Sequence, residues 1–184
     1  VHLNTALHRS RKAGRVGTKR ISRILVTGAL GQIGSELTAE LRKRYGRGNV
    51  VASDLKPRPR GELGEAGPFE QLDVVDADAF ADACRRHEVD TIVHLAAILS
   101  ATGERDPLRA WKVNTAGLIN ALEIARDQDL TQVLCPSSIA VFGAGCPKEN
   151  TPQEAALKPS TMYGITKVAG ELLCDYYVAR YGVD

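Results

Sequence analysis

From Arg23 onward the chain alternates short runs rich in β-branched and apolar residues with longer stretches in which apolar residues return every three or four positions. This pattern predicts strands feeding helices, the βαβ arrangement of a parallel sheet. Strands are predicted over residues 23–29, 49–54, 69–74, 91–97 and 132–138. Ile33, Leu37 and Leu41 share one helical face on a segment that stops near Gly46, and further helices are predicted over 76–89, 107–127 and 163–182. Residues 56–68, rich in Pro and Gly, read as a loop rather than a linker, and there is no internal repeat. An alternating chain that stops just after a helix lacks the strand that helix should feed. The expectation is therefore an α/β doubly wound parallel sheet whose C-terminal part is missing.

The first strand runs directly into Thr27-Gly28-Ala29-Leu30-Gly31-Gln32-Ile33-Gly34. A strand, a glycine turn and a helix in succession form the context in which such glycines bind a dinucleotide. Gly28 permits the turn, Gly31 lets backbone approach a pyrophosphate, and Gly34 lets the helix pack close to the strand. The amides of Gln32 and Ile33 open the helix at the positive end of its dipole. Asp54 closes the second strand, 20 residues past Gly34. A carboxylate there accepts from the adenosine ribose hydroxyls and repels a 2′-phosphate, so NAD is expected rather than NADP, with Lys56 and Arg58 as nearby cations. Asp73, followed by Val74, either meets the adenine or caps the next helix.

Composition narrows the class further. With 184 residues, 43% hydrophobic and 25% charged, the chain suits one globular domain, and no apolar run approaches the ~18 residues of a membrane span. The net charge of +2 hides an asymmetry: residues 1–23 hold seven Lys or Arg and no acid, leaving 17 basic against 22 acidic residues in the rest. A net negative fold is a poor match for nucleic acid. Residues 1–22 form a basic leader, expected to be disordered, ahead of a domain at 23–184. Without an apolar core the leader is no secretory signal, which points to a reducing compartment. It fits a mitochondrial transit peptide, giving a matrix location, or an over-extended bacterial reading frame, giving a cytoplasmic one. The second is preferred, since the chain begins with Val and its only Met is Met162. Cys84, Cys135, Cys146 and Cys174 lack zinc spacing, and Cys84-x-x-His87 alone is too little for a metal site, so no metal is expected.

A second constellation lies towards the end. Tyr163 and Lys167, four apart on a predicted helix, leave the same face one turn from each other. A cation beside a phenol favours its ionised form and makes it a usable base. Ser137 and Ser138 close the fifth strand, at the carboxyl edge where open α/β sheets bind ligands.

The stretches TGALGQIG, HLAA, VNTAGL, PSSIAVFG and YGITK together resemble the extended short-chain dehydrogenase/reductases over residues 23–184, with the G-x-x-G-x-x-G spacing typical of short-chain dehydrogenases. The wording is closest to the short-chain-type L-threonine 3-dehydrogenases of the NAD-dependent epimerase/dehydratase superfamily. Sugar-nucleotide epimerases and dehydratases usually have tyrosine in place of Phe142 and proline in place of Met162. The resemblance implies Tyr163 as general base towards the 3-hydroxyl of L-threonine, Ser138 as its hydrogen-bond partner, and Lys167 on the nicotinamide ribose. It places Leu95, Ala96 and Ala97 along the cofactor and Ser100 and Ser137 at the amino-acid end of the substrate. Asn114 corresponds to a helix asparagine that either relays protons or bridges elements, and His94 reads as a satisfied interior imidazole. The family continues into a further strand and a small C-terminal lobe, and the complete enzyme is expected to pair as a homodimer through helices 107–127 and 163–181. The alternatives are a sugar-nucleotide epimerase/dehydratase and a non-catalytic nucleotide-binding fragment.

Overall fold

A computed structural model describes residues 20–59, 61 and 65–184; residues 1–19 of the leader lie outside the described residues. At the leader's end, Ile21 packs against the core, and Ser22 donates to the Asp90 carboxylate through both its amide (2.8 Å) and its hydroxyl.

Five strands, β1 (Ile24–Thr27), β2 (Val50–Asp54), β3 (Phe69–Gln71), β4 (Thr91–His94) and β5 (Gln132–Leu134), form one parallel sheet in the order β3-β2-β1-β4-β5. This is the strand order of the nucleotide-binding doubly wound fold, with the switch point between β1 and β4. The helices are α1 (Gln32–Tyr45), α2 (Ala77–Arg86), the single turn α3 (Ser100–Gly103), α4 (Pro107–Asp127) and α5 (Met162–Tyr181).

Strand alternation explains the two layers. Ile24, Val26, Val50 and Ala52 face one cluster, completed by Leu37 and Leu41 of α1. Leu25, Val51 and Ile92 point the other way, onto Phe80 and Cys84 of α2 and Ala121 and Ile124 of α4. A third cluster joins Leu118 and Leu122 of α4 to Tyr177 of α5, whose hydroxyl donates to the Glu123 carboxylate. Thus Leu118, Leu122 and Tyr177 are core, while Trp111, Leu172 and Tyr176 are 42%, 64% and 52% exposed.

Local chemistry sets the ends of the helices. Asp76 caps α2 by accepting from the Ala79 amide, Asp106 and Pro107 open α4, and Gly182 stops α5 in the left-handed conformation. No helix among the described residues is long and apolar enough to cross a membrane.

Candidate active site

The glycine turn sits where β1 meets α1, at the carboxyl edge of the sheet. Gly28 has φ +67°, and a Cβ on it would fall 2.8 Å from the Ala96 amide nitrogen and 2.9 Å from the Leu95 carbonyl carbon. A Cβ on Gly34 would lie 2.2 Å from the Gly28 carbonyl oxygen. Packing within the chain therefore demands both glycines. Gly31 differs: it is exposed, and its Cβ would meet only the Gly28 carbonyl oxygen, at 3.2 Å. What a side chain there would occupy is the approach to the amino end of α1, which has no side-chain cap and no acid in its first turn. A pyrophosphate fits that cradle of bare backbone and unclaimed amides.

Around the turn, Asp54 stands at the end of β2 and accepts from the Leu30 amide (3.0 Å) and the Lys56 amide (3.1 Å). Arg58 turns away, donating to the Gly67 carbonyl at 3.0 Å. Asp73 is exposed and accepts from the Val75 amide, so of the two roles considered for it, capping belongs to Asp76. Val74 is 6% exposed, and its carbonyl accepts from Asn120, so its side chain belongs to the core. Leu95, Ala96 and Ala97 run on from β4 beside Gly28, with the Ala96 amide donating to Thr27 Oγ1 (3.3 Å).

The second cluster is gathered by α5. Lys167 Nζ lies 5.7 Å from the centre of the Tyr163 ring and donates to the Pro136 carbonyl at 2.9 Å, which ties the helix to the end of β5. Ser138 opens a short turn over Ile139–Val141, its hydroxyl accepting from the Ala140 amide. A Cβ on Gly164 would be 2.3 Å from the Ala140 carbonyl oxygen, so the residue after Tyr163 abuts the turn that Ser138 begins. Ser100 starts α3. Ser137 donates to the Glu171 carboxylate. A cavity of about 230 Å³ lies between the end of β4, the segment after β5, α4 and α5, lined among others by His94, Asn114, Ser137, Lys167 and Glu171.

Residues 24–184 match the profile of the NAD dependent epimerase/dehydratase family. The chain belongs to that family. An uncharacterized epimerase/dehydratase of Staphylococcus aureus (strain MRSA252) is 50% identical over 164 residues, covering 89% of this chain and 51% of that protein. The solved L-threonine dehydrogenase of Clostridium difficile is 52% identical with a TM-score of 0.86, over 90% of this chain and 52% of that one. A GalE-like L-threonine dehydrogenase from Cupriavidus necator, in its holo form, is 46% identical with a TM-score of 0.85, over 88% and 52%. The chain spans about half the length of the relatives it matches. NAD is the cofactor of this family.

In this member of the epimerase/dehydratase family several residues carry more than the sequence suggested. Asn114 Oδ1 accepts from the Ile98 amide (2.7 Å), and its Nδ2 donates to the Ile98 carbonyl (3.0 Å) and to Thr166 Oγ1 (3.1 Å). It bridges α4, the loop after β4 and α5, which is the bridging role. His94 is interior, but only half satisfied: Nδ1 pairs with Thr27 Oγ1 at 3.0 Å, while Nε2 has no partner among the described residues. Burial, helped by the charge of Lys167, pulls its pKa down to about 4 and keeps the ring neutral. Two glutamates were missed. Glu171, one turn past Lys167, was readable from its four-residue spacing. Glu104 accepts from the Met162 amide at 2.7 Å and supplies the acid that the first turn of α5 lacks, from 58 residues away, where no local pattern betrays it.

Proposed function

We propose that this chain is the cofactor half of an enzyme that oxidises L-threonine at its 3-hydroxyl to 2-amino-3-oxobutyrate. The observation that carries the reading is the placement of Tyr163 and Lys167 on one face of α5, against the turn opened by Ser138, at the sheet edge that also holds the glycine turn. In this reading Ser138 holds the substrate hydroxyl and Tyr163 takes its proton. Lys167, held at its other side by the Pro136 carbonyl, keeps a positive charge over the phenol ring and stabilises negative charge there. Bound NAD⁺ would accept the hydride from C3 as the 3-hydroxyl gives its proton to Tyr163 and C3 becomes a carbonyl. Asp54 orients the adenosine end, and Ser100 and Ser137 face the amino-acid end of the substrate. With Ser137 engaged by Glu171, that carboxylate also stands near the amino-acid end.

The similarity to two L-threonine dehydrogenases at 46–52% identity supports this substrate. Phe142 and Met162 speak against sugar-nucleotide epimerisation, the second reading. Bacterial relatives favour a cytoplasmic protein. The exposed Trp111, Leu172 and Tyr176 on α4 and α5 favour a homodimer formed through these helices.

The test joins residues 20–184 to the C-terminal half of the C. difficile enzyme and offers L-threonine and UDP-sugars with NAD. Threonine-dependent NADH formation is the expected result. Epimerised UDP-sugar without it overturns the assignment, and sedimentation of the same protein as a monomer at micromolar concentration overturns the dimer.

A further inference from the structure

The glycine turn is stitched to β2 by two consecutive amides, and only one of them finds a backbone acceptor. Strands β1 and β2 run parallel with Thr27 opposite Ser53. Beyond Thr27 the ladder goes one step further, the Ala29 amide donating to the Ser53 carbonyl at 2.9 Å. The chain then swings away at the turn. The Asp54 carbonyl is already committed to the Leu72 amide on the far side (2.9 Å), so the next amide of the turn, that of Leu30, donates to the Asp54 side chain instead. The other carboxylate oxygen accepts from the Lys56 amide, which fixes the rotamer. Asp54 thereby extends the β1–β2 ladder with a side chain where the backbone has run out.

We propose that Asp54 has two separable duties: contact with the adenosine ribose, and clamping of the glycine turn in the shape that receives the pyrophosphate. The inference rests on the NAD reading of the turn and goes beyond the ribose contact by assigning cofactor preference and turn geometry to different parts of one carboxylate. Its charge repels a 2′-phosphate. Its acceptor oxygen holds Leu30. Asp54→Ala discards both, so it weakens NAD without improving NADP. Asp54→Asn keeps an amide oxygen for the Leu30 amide, releases only the exposed Lys56 amide to water, and removes the charge. It is therefore the variant that relaxes discrimination against NADP.

The experiment titrates NAD, NADP and an NAD analogue lacking both adenosine-ribose hydroxyls onto the 184-residue chain and its Asp54→Ala and Asp54→Asn variants, and follows hydrogen exchange at the Leu30 amide. With both ribose hydroxyls gone from the ligand, any remaining effect of Asp54→Ala comes from the turn. The expected loss for that analogue is about tenfold, the scale of one hydrogen bond to a charged acceptor. Leu30 exchange accelerates in the alanine variant and stays slow in the asparagine variant, which gains NADP. If Asp54→Ala leaves the analogue's affinity within about twofold and Leu30 exchange unchanged, the clamp is overturned and the residue is a ribose acceptor alone. Should the wild-type chain bind none of the three ligands, the NAD reading fails, and Leu30 exchange in the free chain still decides the clamp.

Discussion

Strand β1 is buried at all four residues and paired on both sides, whereas β5, among the described residues, pairs only with β4 and leaves Leu134 47% exposed. The contrast extends to what each strand supports. The glycine turn after β1 is closed by contacts inside the chain: Gly28 against Ala96, Gly34 against Gly28, Leu30 against Asp54. The segment after β5 is looser, with Ile139 87% exposed and Leu172 of the helix above it 64% exposed. In the cofactor corner the fold and the site are the same set of contacts. The corner around Tyr163 and Lys167 hangs on a few long-range polar ties, Lys167 to Pro136, Asn114 to Thr166 and Glu104 to Met162. Damage should therefore read out as lost structure in the first corner and as lost chemistry in the second.

Tyr163→Phe, in the protein joined to the C. difficile C-terminal half, is expected to lower threonine turnover by about 10²–10⁴ while NAD affinity barely moves, since in the proposed reaction the hydroxyl supplies proton transfer. Equal losses in rate and NAD binding would break the contrast. Between the two corners lies His94. With a folded pKa near 4, against about 6.5 in the unfolded chain, only the unfolded state holds this proton between those values. The stabilisation is complete above about pH 6.5 and falls by about 3 kcal/mol as the pH drops to 4. Urea midpoints at pH 7.5 and 5 measure it, and His94→Gln should remove that share of the slope.

The same substitution made in each corner sharpens the comparison. Gly34→Ala forces a methyl into the Gly28 carbonyl and should cost about 3 kcal/mol. At Gly170 on α5 the new Cβ lies 3.2 Å from the flexible Leu118 Cδ2, and the gain in helix propensity, about 1 kcal/mol, offsets the squeeze. Thermal melts should therefore show a large drop for the first and a shift of a few degrees at most for the second.

Among the described residues, sequence pattern located every strand and all four long helices, and residues 107–127 coincide with α4. It overran the strands that end at the site: 23–29, 69–74, 91–97 and 132–138 are strand only over 24–27, 69–71, 91–94 and 132–134. Apolar alternation reports an extended backbone, and beyond the last ladder bond these chains leave the ladder to make the site. Ile33 shows the reverse error. Its spacing puts it with Leu37 and Leu41, yet it is 67% exposed, because the first turn of α1 starts beyond the strand ends. The glycines, Asp54, Tyr163 and Lys167 were legible because each motif is local. Glu104 and the Leu30 bond to Asp54 were not, since they join residues 58 and 24 positions apart through geometry the folded chain alone creates.

The thiol of Cys84 lies under the sheet against Phe80 and Leu25, 1% exposed, and burial pushes its pKa up to about 12. Neither access nor ionisation favours attack on it by an alkylating reagent while the back layer stays shut. Its modification must wait for α2 to lift from the sheet, so the rate at saturating reagent clocks that opening. Cys146, half-buried and outside the hydrophobic clusters, is expected to be modified before Cys84. The interval between the two labels times how long the layer beneath the cofactor corner remains closed, and a bound dinucleotide lengthens it only if it holds that layer down as well as the turn.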